Sequence, residues 1–250
     1  MADRFLPAGR FAETDFRAGD VFNRTVSIFS RNLLPFGIIS AIAYLPSALV
    51  LSPGSTTAVL ASGNGGWVAI GFIATLVLNV LSQAIVLYGA FEDMRGLPVN
   101  LGESIKVGLR RFFPVLGVAI CMPLLAALAA ILLVFPGLMV ITMLFVAVPA
   151  CVVERLGPFK SMGRSAWLTR GHRWKIFGIW IAVLFVGGTA QSILNGVARA
   201  AGGVIIGLVV SVLCGAVLGA FNAILAVVTY HDLRVAKEGV DTDQIAAVFD

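Results

Sequence analysis

Few side chains in this sequence have the type and spacing that chemistry needs. Only two histidines occur, His172 and His231. Neither has a second ligand at the spacing of a metal motif such as H-E-x-x-H. Cys121, Cys151 and Cys214 all lie inside apolar runs. They read as small buried hydrophobes, not as ligands or nucleophiles. No nucleophile elbow, P-loop or dinucleotide fingerprint is found. Gly63-Asn64-Gly65-Gly66 lacks a following lysine and reads as a flexible turn. What remains are acid–arginine neighbours, Glu154-Arg155 and Asp232-x-Arg234. Such a guanidinium either pairs with its neighbouring acid at a helix end or takes a phosphate. The residues therefore predict no metal, no cofactor and no catalytic constellation.

The elements that carry these residues are set by charge placement. Of thirty-one Asp, Glu, Lys and Arg residues, thirty fall in 1–31, 92–111, 154–175 and 231–250. The runs between, 32–91, 112–153 and 176–230, hold only Arg199. A charge at mid-bilayer costs about 2.5–3.5 kcal/mol on insertion scales, so the neutral runs predict membrane. Composition agrees: 59% hydrophobic, 12% charged and mean hydropathy +0.97, against about 25% charged in soluble domains. The net charge of +5 does not point to nucleic acid. Its basic residues cluster beside apolar runs, as at an anionic cytoplasmic leaflet. The mixed-charge stretch 1–31 lacks the apolar core of a secretory signal.

A bilayer-crossing helix needs about 20 residues, so each neutral run fits two. The expected spans are Leu33–Leu51 and Trp67–Phe91 around the loop Ser52–Gly66, and Phe112–Val134 and Leu138–Val153 around Phe135-Pro136-Gly137. Ile176–Leu194 and Val204–Tyr230 flank Asn195–Gly203. The fourth span is shortest and carries Pro149, so it is either a full crossing or a kinked, half-inserted helix. Three hairpins would put all four charged gaps on one face. Seventeen Lys and Arg then face Arg199 alone on the other side. The positive-inside rule makes the crowded face cytoplasmic, with both termini there.

The gaps resemble one another and predict three pseudo-repeats, 11–96, 97–157 and 158–239, in a single membrane domain with a short amphipathic tail, 240–250. Each repeat reads as amphipathic helix, two spans, then an acid–arginine exit: Asp93-x-Arg95, Glu154-Arg155 and Asp232-x-Arg234. In the first amphipathic segment Arg17, Asp20, Arg24, Ser27 and Arg31 line one face; Val21, Phe22, Thr25, Ile28 and Phe29 line the other. The second starts at Asn100 with Glu103 three residues on, a capping box. Its Leu101, Ile105 and Leu109 oppose Glu103, Lys106 and Arg110. The third has Pro158 at its first position, with Phe159, Met162 and Ala166 opposing Lys160 and Arg164. The tail starts similarly, with Asp241 as cap. Such helices lie in the interface.

Gly207, Ser211, Gly215, Gly219 and Ala223 recur every four residues in the last span. This small-residue ridge admits close packing, either centrally or at a dimer interface. Pro46, Pro123 and Pro149 are expected to kink spans, opening a cavity or merely shaping the bundle. Asn79, Gln83 and Asn222 are the main intramembrane polar candidates. They serve interhelical hydrogen bonding or a head-group contact. Without a mid-membrane ionisable group, proton relays and charge-driven pumps are not expected.

Several stretches are similar to one family, the stand-alone membrane domain of glycerophosphoryl diester phosphodiesterase. They are Phe29-Ser30-Arg31-Asn32-Leu33-Leu34-Pro35, Gly96-Leu97-Pro98-Val99-Asn100-Leu101-Gly102-Glu103, Glu154-Arg155-Leu156-Gly157-Pro158, the run from Arg164 to Trp174, and the run from Tyr230 to Asp241. In two-part members this region precedes a soluble hydrolase barrel, which these 250 residues do not contain. The resemblance implies a bacterial inner-membrane protein linked to lipid or envelope metabolism.

The expectation is therefore all-α: six transmembrane helices as three hairpins, each preceded by a cytoplasmic-side amphipathic interfacial helix. The expected role is a non-catalytic scaffold or accessory protein that binds anionic lipids and a protein partner or second copy. Its contact residues would be Arg24, Arg31, Arg110, Arg111, Arg155, Lys160, Arg164, Arg170, Arg173 and Arg234. The alternative is a carrier or flippase-like transporter of a lipid or small amphiphile, working near Asn79, Gln83 and Asn222.

Overall fold

The computed structural model describes residues 18–50, 65–132 and 134–238. Arg17, most of the Ser52–Gly66 loop and the tail predicted to start at Asp241 lie outside them. The described residues form eight helices and no strand: α1 Ala18–Arg31, α2 Leu33–Val50, α3 Gly65–Met94, α4 Leu101–Leu132, α5 Val134–Leu144, α6 Ala147–Val153, α7 Pro158–Leu168 and α8 Arg173–Glu238.

Four stretches are long and apolar enough to cross a bilayer: Gly66–Met94, Leu101–Ile131, Pro136–Val153 and Arg173–Glu238. The pair α1–α2, bent by 88°, makes a fifth if counted as one. The pattern of six separate spans differs from this for two reasons. First, α2 is short and leaves α1 at a near right angle. Second, the predicted Asn195–Gly203 loop stays helical, and α8 runs for 66 residues with Gly203 alone outside helical geometry (φ 68, ψ −159). Glycine takes that backbone without a Cβ clash. α8 thus has two limbs, 173–202 and 204–238. They lie side by side, because a Cβ on Gly187 would stand 2.7 Å from Leu218 Cδ2 and Gly207 abuts the Arg199 stem.

The amphipathic segments also depart from expectation. α1 and α7 are separate helices, but the second segment is continuous with its span. α4 carries both through Pro114 and Pro123 as one 32-residue helix. At its start Asn100 Oδ1 accepts the Glu103 N–H at 3.3 Å, the first half of the capping box. The other half is diverted: the Asn100 N–H goes to Glu92 at 3.4 Å.

Burial distinguishes the apolar faces that pack on the bundle from those that point outward. α1 buries Val21, Thr25 and Ile28 as expected, while Phe22 is 46% exposed. α7 buries Ser161, Met162, Ser165 and Leu168, and leaves Phe159 77% exposed. α4 turns Ser104 and Gly108 inward and Leu101, Ile105 and Leu109 outward. Small residues let backbones close in, while large apolar ones meet lipid without cost. A Cβ on Gly108 would stand 2.7 Å from Ile85 Cγ1.

The fourth predicted span is broken between α5 and α6. Pro149 has no N–H to give to the Phe145 carbonyl, so the helical ladder fails there. The Met143 carbonyl instead accepts Ser165 Oγ at 2.7 Å and Thr169 Oγ1 at 3.3 Å. The buried core lies toward the charged ends: Val21, Ile28, Phe36, Leu87, Val115, Leu144, Leu168, Ile224, Val228 and Leu233. The far ends are bare apolar surface, including Ile131, Val204 and Ile205, each about 80% exposed. Apolar patches of this extent mark a surface that water does not cover.

Candidate functional site: a charged collar

Each predicted exit acid meets an amphipathic segment, but not in one pattern: Asp93 is held by α1 of its own repeat, while Glu154 and Asp232 are held by α7 and by α1, and Glu92, next to Asp93, reaches α4. Glu92, buried at the end of α3, accepts Ser104 Oγ of α4 at 3.5 Å. Glu154, just after α6, accepts Arg164 Nε of α7 at 2.8 and 3.0 Å. Asp232, near the end of α8, accepts Arg24 Nη1 of α1 at 2.8 Å. The Asp232 contact returns to the first helix. α1 makes a further tie at its bend, where Arg31 Nη2 and Asn32 Nδ2 meet Asp93 at 2.8 and 3.1 Å.

The densest node joins α6, α7 and α8. Glu154 also accepts the Tyr230 hydroxyl at 2.7 Å. Arg164 reaches on to Glu238, which Arg234 Nε holds from one turn before at 2.8 Å. Burial alone would raise the Glu238 carboxyl, but hydrogen bonds from Arg234 and Arg164 outweigh it and hold it below its usual range. Burial opposes the charge on Arg164, and the hydrogen bonds it donates to Glu154 and Glu238 more than restore it.

This geometry corrects the expected pairing of neighbours. Glu154 does not pair with Arg155, nor Asp232 with Arg234. Arg155 has a positive φ of 56. Its carbonyl accepts Arg111 Nη1 at 3.4 Å. Among the predicted contact residues, Arg24, Arg31, Arg164 and Arg234 are thus neutralised by acids. Arg110, Arg155, Lys160 and Arg170 are exposed, Arg173 is half-buried, and none has an ion pair among the described residues.

The intramembrane polar candidates are only partly united. Asn79 and Gln83 line one space with Ser40, Tyr44, Ser82 and Gly219. It holds about 10 Å³, about the volume one water needs. Asn79 Nδ2 is turned to the Thr75 carbonyl at 2.9 Å and the Ala43 carbonyl at 3.4 Å. Asn222 is not with them. It is exposed and donates to the Leu218 carbonyl of its own helix at 2.8 Å. The small-residue ridge is central, not an open interface, at Gly215 and Gly219: both face the Tyr44 ring of α2. Gly207 faces Arg199, and Ser211 Oγ bonds back to the Leu208 carbonyl.

One feature has no counterpart in the sequence reading. A crevice of about 620 Å³ opens between α1 and the two limbs of α8, walled by Phe22, Ile179, Val183, Gly187, Leu218 and Phe221. Its residues carry no sequence signal, because an apolar wall inside the bundle and one facing lipid have the same composition.

Comparison with known proteins finds no matching family model, no similar curated protein and no similar solved structure.

Proposed function

We propose that this protein is a non-catalytic membrane module that crosses the bilayer six times and uses its charged end as a lipid- and partner-binding collar. The six crossings are α2, α3, α4, the α5–α6 pair and the two limbs of α8, arranged as three hairpins. The observation that carries the reading is the set of ion pairs at the charged helix ends, Asp93 with Arg31, Glu154 with Arg164 and Asp232 with Arg24. Exit acids from three places in the chain each meet an amphipathic segment, which supports one shared aqueous flank. By the positive-inside rule that flank is cytoplasmic. Amphipathic helices with small residues inward and large apolar residues outward fit the interfacial zone. The resemblance to the membrane domain of glycerophosphoryl diester phosphodiesterase is in keeping with an accessory role in lipid or envelope metabolism of a bacterial inner membrane.

The test has two arms. Single cysteines at Arg110, Arg164 and Lys237 are labelled in sealed, oriented membranes, and all should react from one side. Native mass spectrometry of the detergent-extracted protein should show retained anionic phospholipid or a stable partner. Labelling from opposite sides overturns the topology. A protein stripped of both lipid and partner overturns the binding role.

A further inference from the structure

At one corner of the collar, cations gather without a paired acid among the described residues. Between α7 and α8 the chain bends at Gly171, which has φ 92. Arg170 and Arg173 flank that bend. Lys237, from the end of α8, folds over the same corner, with its ammonium 2.7 Å from the Trp167 carbonyl and 5.0 Å from the Trp167 ring centre. The acids within reach are already committed: Glu154 to Arg164 and Tyr230, and Glu238 to Arg164 and Arg234. Arg173 Nε is buried and has no acceptor among the described residues. A buried guanidinium N–H without a partner is costly, and such groups in native proteins call for an explanation.

We infer that Arg170, Arg173 and Lys237 form a binding site for a phosphate-bearing anion. This rests on the collar reading above and names its ligand chemistry. Guanidinium groups present forked donors that match phosphate oxygens, and a lysine adds a compact point charge. Burial, and then the repulsion of Arg170 and Arg173, pull the Lys237 ammonium below its usual range. A bound dianion reverses that repulsion. Depth is set by the aromatic residues around the bend. Trp167 is 44% exposed and Trp174 63%, and exposed aromatics of this kind settle at head-group level. The anion therefore arrives either as a phospholipid head group or as free phosphate from the aqueous side.

The experiment uses the full chain in neutral detergent and in nanodiscs of zwitterionic lipid. Three probes are titrated: inorganic phosphate, short-chain phosphatidic acid and short-chain phosphatidylcholine. Wild-type protein is compared with Arg173→Gln, Lys237→Gln and their combination, with circular dichroism to confirm that each variant is folded. Arg173→Lys serves as the charge-conserving control. The expected result is saturable binding of phosphatidic acid or phosphate but not of phosphatidylcholine, weakened about tenfold by each Gln substitution and less by Arg173→Lys. Phosphate binding at matched affinity assigns a free anion; phosphatidic acid alone assigns a head group. Affinity unchanged in the folded double variant overturns the site. Tighter phosphate binding by more than tenfold in Asp241→Asn/Asp243→Asn would make the chain's own tail the occupant and also overturn it. Wild-type protein that keeps lipid regardless of these substitutions leaves the collar reading standing and sinks this site alone.

Discussion

The ring of Tyr44 fills the space that a side chain on Gly219 would need: a Cβ there would stand 2.6 Å from Tyr44 Cε2. The same holds one turn earlier, where Gly215 would meet Tyr44 Cδ1 at 2.6 Å. The glycine ridge thus receives an aromatic ring from α2 in place of a second backbone. Gly219→Ala should lower the melting temperature in detergent, by an overpacking cost of about 1–3 kcal/mol. Tyr44→Ala should also destabilise, by leaving a hole. The double variant should lose clearly less than the sum. Strict additivity would mean that the two residues do not touch.

Glu154 ties together two helices that follow it. Glu154→Gln removes the charge that Arg164 and Tyr230 share and should cost about 2 kcal/mol. Tyr230→Phe should cost about 1 kcal/mol. A double-mutant cycle between Glu154→Gln and Arg164→Met, read by denaturant unfolding in micelles, should show a coupling above about 0.5 kcal/mol.

Glu238 makes stability depend on acid. Its folded carboxyl titrates below the ordinary 4.5, so its contribution is complete above that value. The contribution is lost as pH falls through the lowered value. Glu238→Gln should therefore melt earlier than wild type at pH 7. The difference should shrink below about pH 4.5 and vanish in stronger acid. The side chain is 22% exposed, and solvent screening keeps the effect under about 1 kcal/mol. A gap of constant size from pH 7 down to pH 3 would contradict the pairing.

Arg155 holds a left-handed backbone without the excuse of being glycine. That conformation costs a non-glycine residue about 1–2 kcal/mol. Arg155→Gly relieves it, at the expense of a more flexible unfolded chain. The net expectation is a melting temperature unchanged or raised by a few degrees, against a fall for Arg155→Val. A marked drop for the glycine variant would show that the Arg155 side chain has a structural partner.

Solvent preference was legible in the sequence because bilayer physics is one-sided. A charge either has water or it does not, and the charged gaps mark where α3 and α6 end, though α4 and α8 run on through theirs. Local signals with a single mechanism also held: Asn100 caps α4, Pro158 starts α7, and Val21, Thr25 and Ile28 form the buried face of α1. Signals open to two solutions stayed open. Phe159 and Leu109 are apolar, but in a membrane an apolar face does not say inward. Pairing failed for a similar reason. Glu154 and Arg155 are adjacent in sequence, yet Glu154 pairs with Arg164, ten residues on. The partner of Asp232 lies 208 residues away, which no local pattern encodes. The 620 Å³ crevice depends on how far two limbs of one helix diverge, a matter of packing alone.

The bond between Arg24 and Asp232 also sets an order of events during synthesis. α1 is made first but docks on the final helix, so its Phe22 and Phe29 find their ring partner, Phe221, only once nearly all of the chain has been translated. Its other end is tied much earlier, by Arg31 and Asn32 to Asp93 of α3, so α1 is pinned at its bend before its aromatic face is covered.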